Sequence, residues 1–256
     1  MAVFVLVHGA WHGGWCWTRV LPLLRAGGHD VRTPTLIGLG DRAHLGGPGV
    51  GLETHIGDVV NLLTEQALTN VILVGHSYAG MVVRGVADRA PERIRCVVYL
   101  DAYVPEDGQS MAALRGWNAR DLEAMRRQMT PAGSDWALPA PSSAMFDVKD
   151  AEDIGWADAR LTPHPLRTFT DAIALGNPKS ADVPAVYIIC TVQEDGFEST
   201  AARCRARGWP VYELATGHSC MLTAPAELAR ILLHVAGSHV QDHKTAPEAG
   251  TLKWRG

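Results

Sequence analysis

Three features are scarce in this sequence, and each scarcity removes a class of explanation. No apolar run approaches the length needed to cross a bilayer, so a membrane span is not expected. No cluster of lysine and arginine stands out. With 23 basic against 27 acidic residues and a formal net charge of -4, the electrostatic footprint of a nucleic-acid binder is missing. Cysteine is sparse too: Cys16, Cys96, Cys190, Cys204 and Cys220 are odd in number, scattered and free of CxxC pairs. That pattern speaks against a disulfide framework or a zinc knuckle, and a reducing cytoplasm is the simplest setting. The opening MAVFVLVHGA has no basic region ahead of its apolar run and soon turns to glycine, so it reads as a first strand rather than a secretory leader. Internal repeats and low-complexity blocks are absent as well.

What is present is enough for one large core. The 256 residues are 47% hydrophobic and 20% charged, and α/β chains of this size commonly do not split. The expectation is a single domain over residues 1–237 with a polar, patternless tail over 238–256. Strand-like runs at Val3 to Val7, Val31 to Thr33, Val71 to Val74, Cys96 to Leu100, Ala185 to Thr191 and Val211 to Leu214 alternate with helical patterns. Such alternation predicts an α/β fold, a mainly parallel sheet flanked by helices. Helices are expected over Trp17 to Ala26, over Leu52 to Gln66 with Ile56, Val59, Val60 and Leu63 on one stripe, from Ser77 toward Pro91, and from a Thr223 cap through Pro225 to Gly237. Between about residues 105 and 182 the alternation breaks down. This stretch is too long for a plain loop and carries short helical pieces such as Asn118 to Met129. It is read as a small helical cap over the strand ends, where open α/β sheets bind ligands. A helical excursion that only packs is the alternative.

The run VILVGHSYAGMVV holds the chemical signal. A strand, a turn of small residues and a helix make a nucleophile elbow that lifts Ser77 to the sheet edge. Gly75-x-Ser77-x-Ala79 departs from G-x-S-x-G at its last position, where alanine is the mildest enlargement available. A serine hydroxyl needs a base to take its proton, and in ELATGHSCMLTAPAEL His218 stands in the loop between the last strand and the last helix. A developing oxyanion needs two backbone donors. Tyr78 N–H, next after the nucleophile, is one; Ala10 N–H, in the loop VHGAWHGGW after the first strand, is the other. His8 and His12 in that loop lie on a turn and lack the glutamate of a zinc helix, so no metal is assigned to them.

FVLVHGAWHGGWCW, GHSYAG, VPEDG and TGHSCML together resemble the α/β-hydrolase subfamily of plant methylesterases, the salicylate-binding methyl salicylate esterases, and hydroxynitrile lyases, with bacterial esterase relatives. The resemblance covers residues 3 to 236 and is specific in the N-terminal half. It implies an α/β-hydrolase fold, Ser77 as nucleophile, His218 as base, and Ala10 and Tyr78 as oxyanion donors under a small cap.

The acid stays open between two residues. Relatives resembling the plant enzymes carry an aspartate two residues past the penultimate strand, where CTVQEDGF has Gln193 and delivers Asp195 only through a longer loop. Asp101 in YLDAYVP ends the strand after the elbow helix, an arrangement that resembles pancreatic-type lipases. A carboxylate beside Leu100 and Ala102 needs a partner to be buried there, whereas Asp195 costs nothing if unused, and that asymmetry favours Asp101.

Trp11, His12, Trp117 and Met145 are expected to line the substrate pocket, with Met111, Leu114, Phe146 and Trp156 as further apolar candidates, and the Tyr78 ring is a candidate for the acyl side. The function expected is hydrolysis of small, fairly apolar carboxylic esters through an acyl-enzyme, with no cofactor and a small-molecule ester as partner; a homodimer is left open. The alternatives are a hydroxynitrile lyase, a thioesterase, lactonase or perhydrolase on the same triad, and a ligand receptor that kept the fold. The lyases resembling this sequence carry a threonine and a lysine where Gly9 and Ser219 stand, which argues for the esterase.

Overall fold

The structure, a computed structural model, describes residues 1–129, 135–192 and 196–238. The strands are β1 (Val3–Val7), β2 (Asp30–Arg32), β3 (Val71–His76), β4 (Ile94–Leu100), β5 (Ala137–Leu138), β6 (His164–Pro165), β7 (Ala185–Cys190) and β8 (Val211–Leu214). The helices are α1 (Leu21–Ala26), α2 (Leu52–Glu65), α3 (Ala79–Arg89), α4 (Met111–Leu114), α5 (Ala119–Met129), α6 (Ala151–Asp158), α7 (Arg167–Thr170), α8 (Glu198–Ala206), α9 (Cys220–Thr223) and α10 (Pro225–Gly237).

Six strands pair in parallel in the order β2-β1-β3-β4-β7-β8, the α/β-hydrolase arrangement expected. Because side chains alternate across a strand, each strand feeds both faces. Val5, Val7, Leu73, Val97 and Tyr187 pack against α2, α3 and α8, while Phe4, Leu6, Ile72, Val98 and Ile188 pack against α1 and α10. That two-sided burial is why the runs are continuously apolar, and each such buried side chain contributes about 1.5–3 kcal/mol of transfer free energy. The order reverses between β1 and β3, so the loops after these two strands diverge and leave a crevice at their C-terminal ends.

Two boundaries differ from expectation for local reasons. The first helix starts at Leu21 rather than Trp17, because Gly14–Trp17 forms a 3-10 turn before it. Thr223 does not cap the last helix: it closes α9, its hydroxyl spent on Thr216 Oγ1 and Ser219 O, and Ala224 precedes Pro225 instead. Between β4 and β7 the chain leaves the sheet for α4–α7 and the antiparallel pair β5-β6, and α4 with Trp117 and the turn carrying Met145 and Phe146 reaches over Ser77. We read this as the cap. The tail past Ser238 lies outside the described residues.

Candidate active site

Ser77 follows β3 with φ 56, a left-handed backbone unusual for a residue with a side chain, and α3 starts two residues later. The strained turn is over-determined. Ser77 N–H donates to Leu100 O at 3.1 Å, and Ser77 O accepts from Gly80 N–H and Tyr103 N–H at 3.1 and 3.2 Å. Its neighbours must be small: a Cβ at Gly75 would sit 2.7 Å from Ala79 O, one at Gly80 would collide with the Tyr103 backbone, and one at Gly9 would lie 3.1 Å from Ser77 Cβ. Gly9 thus places the loop after β1 directly against Ser77, as the adjacency of β1 and β3 requires.

His218 stands in the loop between β8 and α9, and its Nδ1–H donates to Asp101 Oδ2 at 2.6 Å. Asp101 follows β4, is fully buried and has φ 45. Its other oxygen accepts Cys190 N–H at 3.0 Å, and its own N–H donates to Ile188 O at 2.7 Å. Both carboxylate oxygens are therefore hydrogen-bonded, which answers the desolvation cost that made the residue suspicious in the sequence. Asp195 lies outside the described residues. The imidazole is fixed from several sides: His218 N–H donates to Asp147 Oδ2 at 3.2 Å, His218 O accepts His76 Nε2–H at 2.9 Å, and Phe197 stacks on the ring at 5.8 Å. An imidazole oriented by a buried carboxylate, beside a cavity it shares with a hydroxyl on a strained turn, is an arrangement able to move that hydroxyl's proton.

Among the described residues neither Ala10 N–H nor Tyr78 N–H donates a hydrogen bond, although both residues are buried. Buried amides are almost always paired, so two left open beside Ser77 are suited to a charge that develops there.

A cavity of about 500 Å³ opens over Ser77 and His218. Trp11, Trp117 and Met145 line it, with Met111, Leu114 and Phe146; Arg115 and Arg203 add cationic edges. Three pocket expectations are corrected. His12 is buried behind the wall, stacked on Trp15 at 5.3 Å, because its Nδ1–H is committed to Ala10 O at 2.7 Å. The Tyr78 ring is also fully buried, its hydroxyl donating to His55 Nδ1 at 2.9 Å. Trp156 lies edge-on to Trp15 under the Arg160 guanidinium, away from the cavity.

His8 spends both nitrogens on backbone groups, Nδ1–H on Gly9 O at 2.8 Å and Nε2 as acceptor of Leu36 N–H at 3.0 Å. Burial pushes the His8 imidazole down to about 3, those of His12 and His55 to about 4, and those of His76 and His164 well below the ordinary histidine value. All five are neutral at neutral pH. His55, Asp147 and His164 escaped the sequence reading. A polar residue one position before Ile56, inside the apolar stripe of α2, was the available sign for His55; nothing local marks Asp147 or His164.

The model of the Alpha/beta hydrolase family matches residues 4–231. The chain is 41% identical over 244 residues to a carbendazim hydrolyzing esterase of Nocardioides sp. (strain SG-4G), covering 91% of this chain and 98% of that protein. It is 29% identical over 254 residues to salicylic acid-binding protein 2 of Nicotiana tabacum, covering 91% and 96%. Among solved structures, an extracellular alpha/beta-hydrolase from a Paenibacillus species, described as sharing structural and functional homology with tobacco salicylic acid binding protein 2, superposes with a TM-score of 0.78 at 25% identity, over 91% of this chain and 98% of that one.

Proposed function

Because the chain belongs to the Alpha/beta hydrolase family, we propose that it is a carboxylic ester hydrolase working through Ser77, His218 and Asp101. The observation that carries this is the 2.6 Å contact of His218 Nδ1 with the buried Asp101 carboxylate, beside the cavity that Ser77 shares. His218 Nε2 takes the Ser77 proton as the oxygen attacks the ester carbonyl. Asp101 holds the ring in the required tautomer and balances the imidazolium that forms. Ala10 N–H and Tyr78 N–H accommodate the oxyanion. His218 then returns the proton to the departing alcohol, an acyl-enzyme remains, and a water activated by His218 hydrolyses it.

The volume and the apolar side chains of Trp11, Trp117 and Phe146, set beside polar ones such as Arg115 and Thr200, fit small, fairly apolar esters. The hydrolase named for carbendazim among the relatives puts that compound in the first assay panel, beside methyl esters, p-nitrophenyl esters, lactones and mandelonitrile. Gly9 favours hydrolysis over cyanide release: a threonine there would carry its Cβ to 2.8 Å from His76 Nδ1. Five buried cysteines, all unpaired, suit a reducing compartment such as the cytoplasm. The direct test is labelling by a fluorophosphonate. An adduct on Ser77 that forms only while His218 is present supports the mechanism; labelling at Cys220, or unchanged labelling in His218→Ala, overturns it.

A further inference from the structure

In the loop that supplies Ala10 N–H, three backbone groups between Gly9 and Trp11 are held by imidazoles. In a trans peptide the C=O and N–H point in opposite directions, so anchoring one aims the other. His8 Nδ1–H holds Gly9 O at 2.8 Å and so aims Ala10 N–H. The next peptide is held at both ends: Ala10 O accepts His12 Nδ1–H at 2.7 Å, and Trp11 N–H donates to His164 Nδ1 at 3.2 Å. Trp11 itself has φ 63, and its carbonyl accepts Thr162 N–H at 3.0 Å. His8 and His12 belong to the loop. Thr162 and His164 come from the cap, about 150 residues away in sequence.

His164 is built for one orientation. It is fully buried, stacked on Phe169 at 4.6 Å, and its Nε2–H donates to Thr168 Oγ1 at 2.7 Å. The Thr168 hydroxyl has its own proton committed to Pro165 O at 2.8 Å, so it can only accept from His164. This leaves Nδ1 as a lone pair, the one tautomer that can receive Trp11 N–H. Its ring also lies 5.0 Å from that of Tyr78, the residue that carries the second open amide.

We propose that His164 is a positioning residue: from the cap it holds the strained Trp11 peptide so that Ala10 N–H faces the oxyanion, which makes the cap part of the catalytic geometry as well as a wall. This rests on the serine-hydrolase reading above. Trp11 in a left-handed conformation is held against its own preference, and without the clamp it relaxes toward the common backbone regions and turns the neighbouring peptide.

The test uses the full chain with a short p-nitrophenyl ester, and two variants at the position. His164→Phe keeps a ring to stack but removes the acceptor; His164→Asn restores an acceptor near the place of Nδ1. Misaiming one oxyanion donor should lower kcat in His164→Phe about tenfold to a hundredfold while KM stays within about threefold. The inhibition constant of a trifluoromethyl ketone, which forms the same oxyanion on Ser77, should rise in proportion, and His164→Asn should recover most of both. Wild-type kcat in His164→Phe, a loss confined to KM, or equal damage in both variants overturns the proposal. If His164→Phe does not fold, Thr168→Val carries the test, because it frees the His164 tautomer: a fall in kcat at constant KM supports the clamp, and wild-type kcat overturns it. Ser77→Ala is assayed alongside. Activity in that variant would sink the serine mechanism itself, whereas an inactive Ser77→Ala beside a fully active His164→Phe would sink only the clamp.

Discussion

The two sides of the cavity are built by different rules. On the sheet side, Ser77, Asp101 and His218 each follow a strand closely, and two of them sit in left-handed backbone held by neighbouring strands: Ser77 N–H on Leu100 O, Asp101 N–H on Ile188 O. On the cap side, Met111, Leu114, Trp117, Met145 and Phe146 come from short helices and turns and present mainly apolar surface. Strained backbone survives where its surroundings over-determine it, and the three residues proposed to do the chemistry stand near strand ends. Apolar contacts need no such precision, and the cap can vary its lining without disturbing the strands. His164 breaks this division, being a cap residue with a sheet-side duty.

The largest test of the contrast is Ser77→Ala, which should leave the fold intact and lower kcat on p-nitrophenyl butyrate by about 10⁴ or more; residual activity within about tenfold of wild type would mean that the sheet side does not hold the nucleophile. Next is Asp101→Asn. The isosteric amide keeps the shape but loses the charge that holds His218, and kcat should fall at least about a hundredfold, whereas Asp195→Asn should cost less than about tenfold. A reversal of these two effects would move the acid to the other strand's loop.

Acid should break the seam between the two sides. The five buried imidazoles of His8, His12, His55, His76 and His164 have pKa values below their ordinary 6.5 in the folded chain. The unfolded chain takes up protons at these positions from about pH 6.5 downward and the folded chain does not. Stability is therefore fully present above that pH and declines as pH falls below it, the shares of His8, His12 and His55 being lost completely only under their folded values of about 3 to 4. Urea midpoints between pH 8 and pH 4 should show the decline beginning near 6.5. A midpoint unchanged down to pH 5 would contradict neutral burial of the cluster.

The smallest effects belong to the cap lining. Trp117→Ala enlarges the cavity and should shift kcat/KM toward longer acyl chains by about tenfold, with little change for acetate, since one methylene in a pocket is worth about 1–3 kcal/mol. Met145 is 75% exposed, so Met145→Ala should change the same ratio by less than about threefold. If either substitution cut the acetate kcat as severely as Asp101→Asn, the two sides would not be separable.

What could be read without the structure is what local rules encode. Period-two alternation and continuous apolar runs located β1 and β8 at their observed bounds, and the glycine and alanine spacing around Ser77 located the elbow, because a strand, a tight turn and a helix leave their marks within a dozen residues. Asp101 was legible by a different route, as a buried-looking carboxylate that had to have a partner. The chain alone was silent on who the partners of the buried polar groups are. That His12 turns inward to Ala10 O, that the Tyr78 hydroxyl is taken by His55, and that His164 meets Trp11 N–H across 153 positions follow from how the cap closes on the sheet. A hydrogen bond between distant segments imposes no periodicity on either one; it exists only once packing has brought a lone pair and an N–H into line, and only the tertiary structure decides that.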